Sequence, residues 1–421
     1  MLRFQQRNQL AGNTPIPLKV KIINDPVYGF LRFPEEEVMH IIAHPWFQRL
    51  RHIKQMGMAH LVYPGAVHTR MHHSLGACHL MQEAIEVLKS KGVQFSAEEC
   101  VGARLAILLH DVGHGPYSHA LEHSLVTGIS HEQISRLIME RINEETSGML
   151  DTALQIFNHD YPRRYLHQLV SSQLDMDRMD YLNRDSYFTG VSEGVIGYDR
   201  ILQMLTVIDD ELMVEQKGVH SVEKFIIARR LMYWQVYLHK TVLGAEMLII
   251  NILKRAREIA RAGLGLFATP ALRHFLYKDV SAAQFEEEPE HLDAFCALDD
   301  ADITAAIKVW QHCEDKILAR LCVMLVERRL YKVQLSSLPL DVELEQARAH
   351  ASELTGLTDD RLDYFAFGGT TSNNTYSTTD ERIQLAMKDG TIRDISEVED
   401  PLVSQALARP VLKNYICYIN E

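Results

Sequence analysis

The chain has little of what marks several familiar protein classes. Its 421 residues include six cysteines, Cys78, Cys100, Cys296, Cys313, Cys322 and Cys417, widely scattered and never spaced as C-x-x-C. That excludes a disulfide framework or a zinc ribbon and fits a reducing cytosol. No apolar run reaches the length of about 18 residues that spans a bilayer. The opening stretch, MLRFQQRNQLAGNTPIPLKV, carries no apolar signal segment, so we expect a cytoplasmic protein with no membrane partner. Cations are also in deficit. With 43 Lys and Arg against 56 Asp and Glu, the formal charge is −13, and no basic run is interleaved with aromatics, so a nucleic-acid groove is not expected. Any anionic ligand must be caught by a locally basic site.

What the chain concentrates is histidine: of 21, thirteen fall between His40 and His131. The same region shows the periods of a helical protein. His73, Ala77, Leu80, Ala84 and Val87 recur at steps of three and four, and VGARLAILLH (101–110) is a strongly apolar helix that stops where Gly113 and Gly115 break the period. Further helices are expected within 222–255 and 315–329. Strand signals are short and peripheral: KVKIIN and FLRF flank the turn DPVYG, and VIDDELMV (207–214) reads as a second hairpin. After about residue 330, YKVQLS, RIQLAM, TIRDI and VLKNYICYI look like strands around a helix near 340–354. Residues 367–380, FGGTTSNNTYSTTD, read as a mobile polar loop. The expected fold is mainly α, with residues 1–330 as a helical domain bearing short hairpins and 331–421 as a small α+β subdomain.

Three places hold chemistry. His110 and Asp111 sit at the C-terminal end of an apolar helix, where the helix dipole disfavours a carboxylate and something positive should compensate, as a divalent metal would. Alone, such a pair is more often a plain helix end. His73 lies on an apolar stripe with Arg70 one turn earlier; a buried histidine of this kind commonly just finds a backbone carbonyl. In SSQLDMDRMDYLNRDSYFTG (171–190), Arg178, Tyr181 and Asp185 share one helix face and Asp177 lies four residues before Tyr181; a solvated face of ion pairs has the same look. Arg229, Tyr233, Tyr237 and Lys240 step by 4, 4 and 3, as along one helical stripe.

Taken together, His73, His110-Asp111 and Asp177 stand in the order H, HD, D of the HD superfamily of metal-dependent phosphohydrolases. The words NDPVYG, HPWFQRLRHIKQMG, VYPGAVHTRMHHSLG, LLHDVGHGPYSHALEH, SHEQ and DMDRMDYLNRD (between 24 and 185) resemble the deoxynucleoside triphosphate triphosphohydrolases of that superfamily. The resemblance implies an HD-type helical core and one divalent ion, Fe, Mn, Zn or Mg, on His73, His110, Asp111 and Asp177, with a further Mg on the substrate triphosphate. It implies that His114, His119, Glu122 and His131 handle the scissile phosphate, with His119 the first choice as proton donor. It assigns Gln55, Arg70, Arg178, Tyr181, Asp185, Arg229, Tyr237, His239 and Lys240 to substrate binding.

Three positions depart from the animal pattern: Glu122 stands for Asp, Tyr233 for His and Arg178 for Lys. An activating nucleotide bridging subunits of a dimer or tetramer would meet Asn24, Gln48 and Arg51, but the acidic residue that reads guanine corresponds to Ala43, so GTP is not expected to be the required activator. Two other readings remain: an HD phosphohydrolase acting on another nucleotide, or a weakly catalytic nucleotide-sensing oligomer. No GYP-type motif points to cyclic dinucleotides.

Overall fold

Apolar residues recur at steps of three and four along much of this chain, and the elements they build are mostly helices, with small sheets beside them. A computed structural model describes residues 21–117, 122, 124–126, 128–373, 376, 382–398 and 411–420. The first strands, β1 (Lys21–Asp25) and β2 (Gly29–Phe33), form the expected hairpin. Its turn is closed by Asp25, whose Oδ1 accepts from Val27 N and Tyr28 N at 2.9 and 3.0 Å.

The central helices are α1 (Arg70–Ser90), α2 (Ala97–Leu109), α3 (His131–Glu145) and α4 (Met176–Thr189). Residues His73, Ala77, Leu80, Ala84 and Val87 of α1 are all buried, as their spacing predicts. Each of the next three helices is started by a side chain that satisfies otherwise unpaired N–H groups. Ser96 and Glu99 exchange hydrogen bonds at α2, Ser130 and Gln133 do so at α3, and Asp175 accepts from Arg178 N at α4. Gly190, in the left-handed region at φ +75°, ends α4.

Helix α1 packs against α2 and α4, and the approach to α4 is close. A Cβ at Gly76 would lie 2.0 Å from Asp180 Oδ1 and 2.1 Å from an Arg184 nitrogen. Only glycine leaves room for that buried pair. Gly113 plays a similar part after α2: a Cβ there would meet the His131 carbonyl at 2.2 Å, while Gly113 N donates to Ser135 Oγ at 2.9 Å. The two helices α2 and α3 therefore meet end to end at the His110-Asp111 pair.

Strands β3 (Leu205–Ile208) and β4 (Glu211–Glu215) form the second hairpin. Helices α5 (Val219–Met232) and α6 (Lys240–Arg261) follow. They are not one rod: residues Tyr233–Tyr237 make a π turn and the two axes differ by 60°. Among the described residues, no single helix is long and apolar enough to cross a membrane. Helix α7 (Lys316–Val326) packs on α6 and is capped by Asp315, which also pairs with Arg255.

Beyond residue 330 come β5 (Lys332–Ser336), α8 (Asp341–Thr355), β6 (Ala366–Asn373), β7 (Gln384–Ala386), β8 (Ile392–Asp394) and β9 (Val411–Tyr418). The sheet order is β5-β9-β6, antiparallel throughout, while β7 runs parallel to β4 and extends the second hairpin to β3-β4-β7-β8. The architecture is mainly α with a small α+β C-terminal part.

The mobile loop expected at 367–380 is corrected. Residues 367–373 belong to β6, in register with β9 from Ala366 opposite Tyr418 to Asn373 opposite Val411. Their turn-forming composition pointed to a loop, but a partner strand supplies the backbone hydrogen bonds and the threonines suit a pleated surface. Tyr376 is buried and donates to Asp394 Oδ2 at 2.6 Å. The other positions of that segment, 374, 375 and 377–380, lie outside the described residues.

The Gly76 approach yields a test. Gly76→Ala must displace Asp180 and Arg184 from each other, and breaking a buried ion pair costs on the order of 3 kcal/mol. The expected outcome is a lower urea midpoint with an unchanged m-value; an unaltered midpoint refutes the close approach.

Candidate metal centre and its cavity

Helices α1, α2 and α4 each bring one or two polar side chains to the same buried point. His73 comes from the first turn of α1, His110 and Asp111 from the end of α2, and Asp177 from the first turn of α4. His73 Nε2 lies 3.1 Å from Asp177 Oδ1 and 3.7 Å from Asp111 Oδ2. His110 Nε2 lies 3.4 Å from the same Asp177 oxygen and 3.3 Å from Asp111 Oδ1. Of these four, His73, His110 and Asp177 have ligand atoms all within 4.8 Å of one another, and His114, Glu122 and His131 form a second such group beside them.

The far side of each imidazole is already fixed. His73 Nδ1 donates to Asp180 Oδ2 at 2.7 Å, and His110 Nδ1 donates to the Ile107 carbonyl at 2.6 Å. With Nδ1 as donor, Nε2 presents its lone pair to the centre, the tautomer a metal needs. Both Nε2 atoms are buried and make no hydrogen bond of acceptable geometry, although carboxylate oxygens stand beside them. Buried nitrogens and carboxylate oxygens that converge without bonding to each other fit a shared cation. Two nitrogens and two hard oxygens suit a first-row or alkaline-earth divalent ion and exclude one that demands thiolates.

The electrostatics agree. Burial opposes a charge on His73, yet Asp177 and Asp180 hold its pKa at about 10, and His110 is raised against burial by Asp111 and Asp177. Burial would raise Asp177, but His110 and His73 keep it well below the usual carboxylate range. Asp111 is likewise held down, against burial, by His110, His114 and Arg70. The cluster thus calls for positive charge at its middle.

Beside it are the phosphate-handling candidates. The rings of His114 and His131 stack at 3.9 Å, and Glu122 Oε1 lies 3.1 Å from His131 Nδ1. Their surroundings drive the two rings apart. Burial and Arg70 push His114 down to about 3, whereas Glu122 and Asp111 raise His131 against its burial. His119 lies outside the described residues.

A cavity of about 590 Å³ opens from this cluster, with Asp111, Asp177, His114 and His131 in its wall. Gln55, Arg70, Arg178 and Tyr181 line it, as do Asp185, Arg229 and Tyr237. Arg70 Nη1 donates to Asp111 Oδ2 at 2.6 Å, and the Arg178 guanidinium pairs with the capping carboxylate of Asp175. Tyr181 and Tyr237 meet edge to face at 6.3 Å, and Tyr237 OH donates to Asp185 Oδ2 at 2.6 Å. The Gln55 side-chain oxygen is buried without a hydrogen-bond partner.

His239 and Lys240 are not in the cavity wall. The expected straight stripe from Arg229 to Lys240 is interrupted by the π turn, so His239 instead caps α6 by accepting from Thr241 N at 3.2 Å. Asn24, Gln48 and Arg51 stand apart from the cavity: Asn24 is exposed on β1, and Arg51 Nε donates to Gln48 Oε1 at 2.7 Å.

Three supports escaped the sequence reading. Asp180 had a signal, since it follows Asp177 by one helical turn. His68 donates to Asp185 Oδ1 at 2.7 Å and stacks on Phe188 at 4.4 Å. Arg49 is buried and donates to the carbonyls of Val112, His114 and Leu298. No spacing distinguishes it from the exposed arginine two positions later.

Helices that carry a histidine, a His-Asp pair and an aspartate to one buried point beside an arginine-lined cavity place the chain among helical hydrolases of phosphate esters. Comparison makes the class specific. Residues 70–185 match the HD domain and residues 196–262 an HD-associated region. A crystal structure of a phosphohydrolase from Bacteroides thetaiotaomicron superposes with a TM-score of 0.91 at 48% identity, over 96% of this chain and 100% of that one. Protein YwfO of Bacillus subtilis, described as uncharacterized, is 32% identical over 319 residues, 74% of this chain and 71% of its own. The human deoxynucleoside triphosphate triphosphohydrolase SAMHD1 is 29% identical over 291 residues, 58% of this chain but 46% of its own length. The chain belongs to the HD-domain phosphohydrolase family.

Metal analysis tests the centre directly. Wild type is expected to hold about one equivalent of divalent ion and His110→Ala/Asp111→Ala less than a tenth of that. Asp180→Asn should weaken metal binding roughly 10- to 100-fold through loss of His73 orientation. Equal metal content in all three proteins refutes the assignment.

Proposed function

We propose that this protein hydrolyses deoxynucleoside triphosphates to a deoxynucleoside and tripolyphosphate. The observation that carries the reading is the single cavity in which Arg70, Arg178 and Arg229 share a wall with Tyr181, Tyr237 and the Asp111–Asp177 cluster. Its chemistry matches an anionic chain at one end and a flat, weakly polar sugar and base at the other. The activity for which the human relative is named points the same way.

His73, His110, Asp111 and Asp177 would hold the divalent ion, be it Fe, Mn, Zn or Mg; when bound, it supplies a Lewis acid for phosphate oxygen and lowers the pKa of coordinated water. Arginine guanidinium groups suit the triphosphate because their paired N–H donors match its oxygens, and a Mg ion travelling with the substrate adds to them. His119 remains the first choice to hand a proton to the departing 5′ oxygen, with His131 the second group able to do so. Glu122 anchors the Nδ1 of His131, which leaves Nε2 to donate, and the stacked His114 keeps the ring flat against the phosphate. Tyr181 forms the floor for deoxyribose and excludes a 2′-hydroxyl by bulk, while the free oxygen of Gln55 accepts from a 3′-hydroxyl.

Incubating the metal-loaded protein with dNTPs, NTPs and cyclic dinucleotides tests the reading. The expected products are deoxynucleoside and tripolyphosphate from dNTPs, with kcat lowered roughly 10³-fold in His110→Ala/Asp111→Ala. Release of orthophosphate or pyrophosphate, or preference for a ribonucleotide or cyclic dinucleotide, assigns the site to another HD phosphohydrolase activity. The absence of hydrolysis on all of them leaves a nucleotide sensor.

The same proposal includes a dimer or tetramer with a second nucleotide site at Asn24, Gln48 and Arg51. Ala43 offers no carboxylate to read guanine there, so dNTP hydrolysis is expected to proceed without GTP; strict GTP dependence refutes this.

A further inference from the structure

Glu246 enters neither the metal cluster nor the phosphate-handling set, yet its side chain lines the same cavity. It lies on the face of α6 that also contributes Val242 and Ile249 to the wall, at i−4 and i+3. The surrounding wall is apolar: Leu238 from the break before α6, and Met56 and Met58 from the segment before α1. A carboxyl group in such a setting normally has a cation or several N–H donors beside it. Among the described residues no cation or N–H donor bonds Glu246, and the polar group that feels its charge is the Tyr233 hydroxyl. Burial is the sole influence on its acidity and pushes the carboxyl up to about 7. Glu246 shares this apolar stretch of wall, which suits the faces of a base better than a phosphate chain.

Resting on the nucleotide reading above, we propose that Glu246 reads the base and selects guanine. An ionised carboxylate has two oxygens and only accepts hydrogen bonds. Guanine alone among the four bases presents two adjacent donors, N1–H and the 2-amino group, on one edge, and they meet a carboxylate side by side. Adenine and cytosine pair a single amine with a ring-nitrogen acceptor, which faces a carboxylate oxygen lone pair to lone pair. Thymine offers one N–H between two carbonyl oxygens. The donors of guanine supply the stabilisation that the protein itself withholds from the charge, while Met56, Met58 and Val242 cover the faces of the ring. A site built to bond such donors discriminates strongly, because an ill-matched base leaves its polar group buried and unpaired.

The experiment has two readouts on the full-length, metal-loaded protein. In hydrolysis, wild type is expected to turn over dGTP with a kcat/KM at least tenfold above that for dTTP or dATP. Glu246→Gln, which keeps shape and replaces one acceptor by a donor, should abolish the dGTP advantage and leave dTTP turnover within about twofold. In equilibrium binding, deoxyguanosine should bind at least tenfold more tightly than thymidine to wild type, and equally weakly to Glu246→Gln and Glu246→Leu. A protein that binds deoxyguanosine selectively but hydrolyses no dNTP overturns the activity and keeps the role of Glu246. A protein that hydrolyses dNTPs with the same base preference before and after Glu246→Gln, or that prefers dATP or dCTP, overturns the role of Glu246 and keeps the activity.

Discussion

Asp180 is wholly buried between α1 and α4, and its two oxygens are divided between His73 Nδ1 on one helix and the Arg184 guanidinium on its own. Arg184 in turn reaches Asp25 at 2.7 Å, in the turn of the first hairpin. A charge of either sign placed here alone would be prohibitively costly, so each member requires the others. The consequence is geometric. The hairpin, α1 and α4 cannot shift independently, and α1 admits the pair because Gly76 leaves the space that a Cβ would fill. His73 is oriented by the same carboxylate that closes the network, so the metal centre takes its shape from a folding constraint.

Pairing at short range also explains how an acidic protein can line one cavity with several arginines. The net charge of −13 is spread over the whole chain, whereas the cavity is governed by a few groups at short range. Arg70 bonds the Asp111 carboxylate and Arg178 bonds Asp175, so each arginine enters the wall with its position fixed and part of its charge already balanced. The remaining excess of carboxylate at the centre is what a divalent ion would neutralise. Basic words elsewhere are spent within the fold: Arg255 pairs with Asp315, and Arg257 with Asp279 and the Ser124 carbonyl.

Much of this was legible in the sequence because it is periodic or ordered. The buried face of α1, both early hairpins and the order of His73, His110-Asp111 and Asp177 follow from spacing and motif. What was not legible depends on contact between distant segments. Arg49 and Arg51 look alike in RLRHIK, yet one is buried on three carbonyls from residues 112, 114 and 298 and the other bonds Gln48. The stretch FGGTTSNNTYSTTD has a loop's composition, and only the presence of β9 forty residues later in the chain makes its first half a strand. Asp180 fell between the two, visible as one turn past Asp177 but without any local reason to face His73.

The break between α5 and α6 shows how such a departure from regular spacing can create a site. Had the stripe Arg229, Tyr233, Tyr237, Lys240 continued on one straight helix, four polar side chains would have faced the cavity and no apolar wall would have followed them. The π turn at Tyr233–Tyr237 inserts extra backbone at the point where the chain changes direction by 60°. π turns of this sort are retained where a helix must present side chains out of its normal register. Here Tyr237 stays inward and reaches Asp185, His239 turns away to cap the next helix, and α6 arrives with Val242, Glu246 and Ile249 against the cavity. The helix that would have extended the polar stripe supplies instead an apolar wall with one carboxyl group in it. Inward tyrosines followed by an apolar wall that carries one carboxyl group thus come from a single local irregularity between two otherwise ordinary helices.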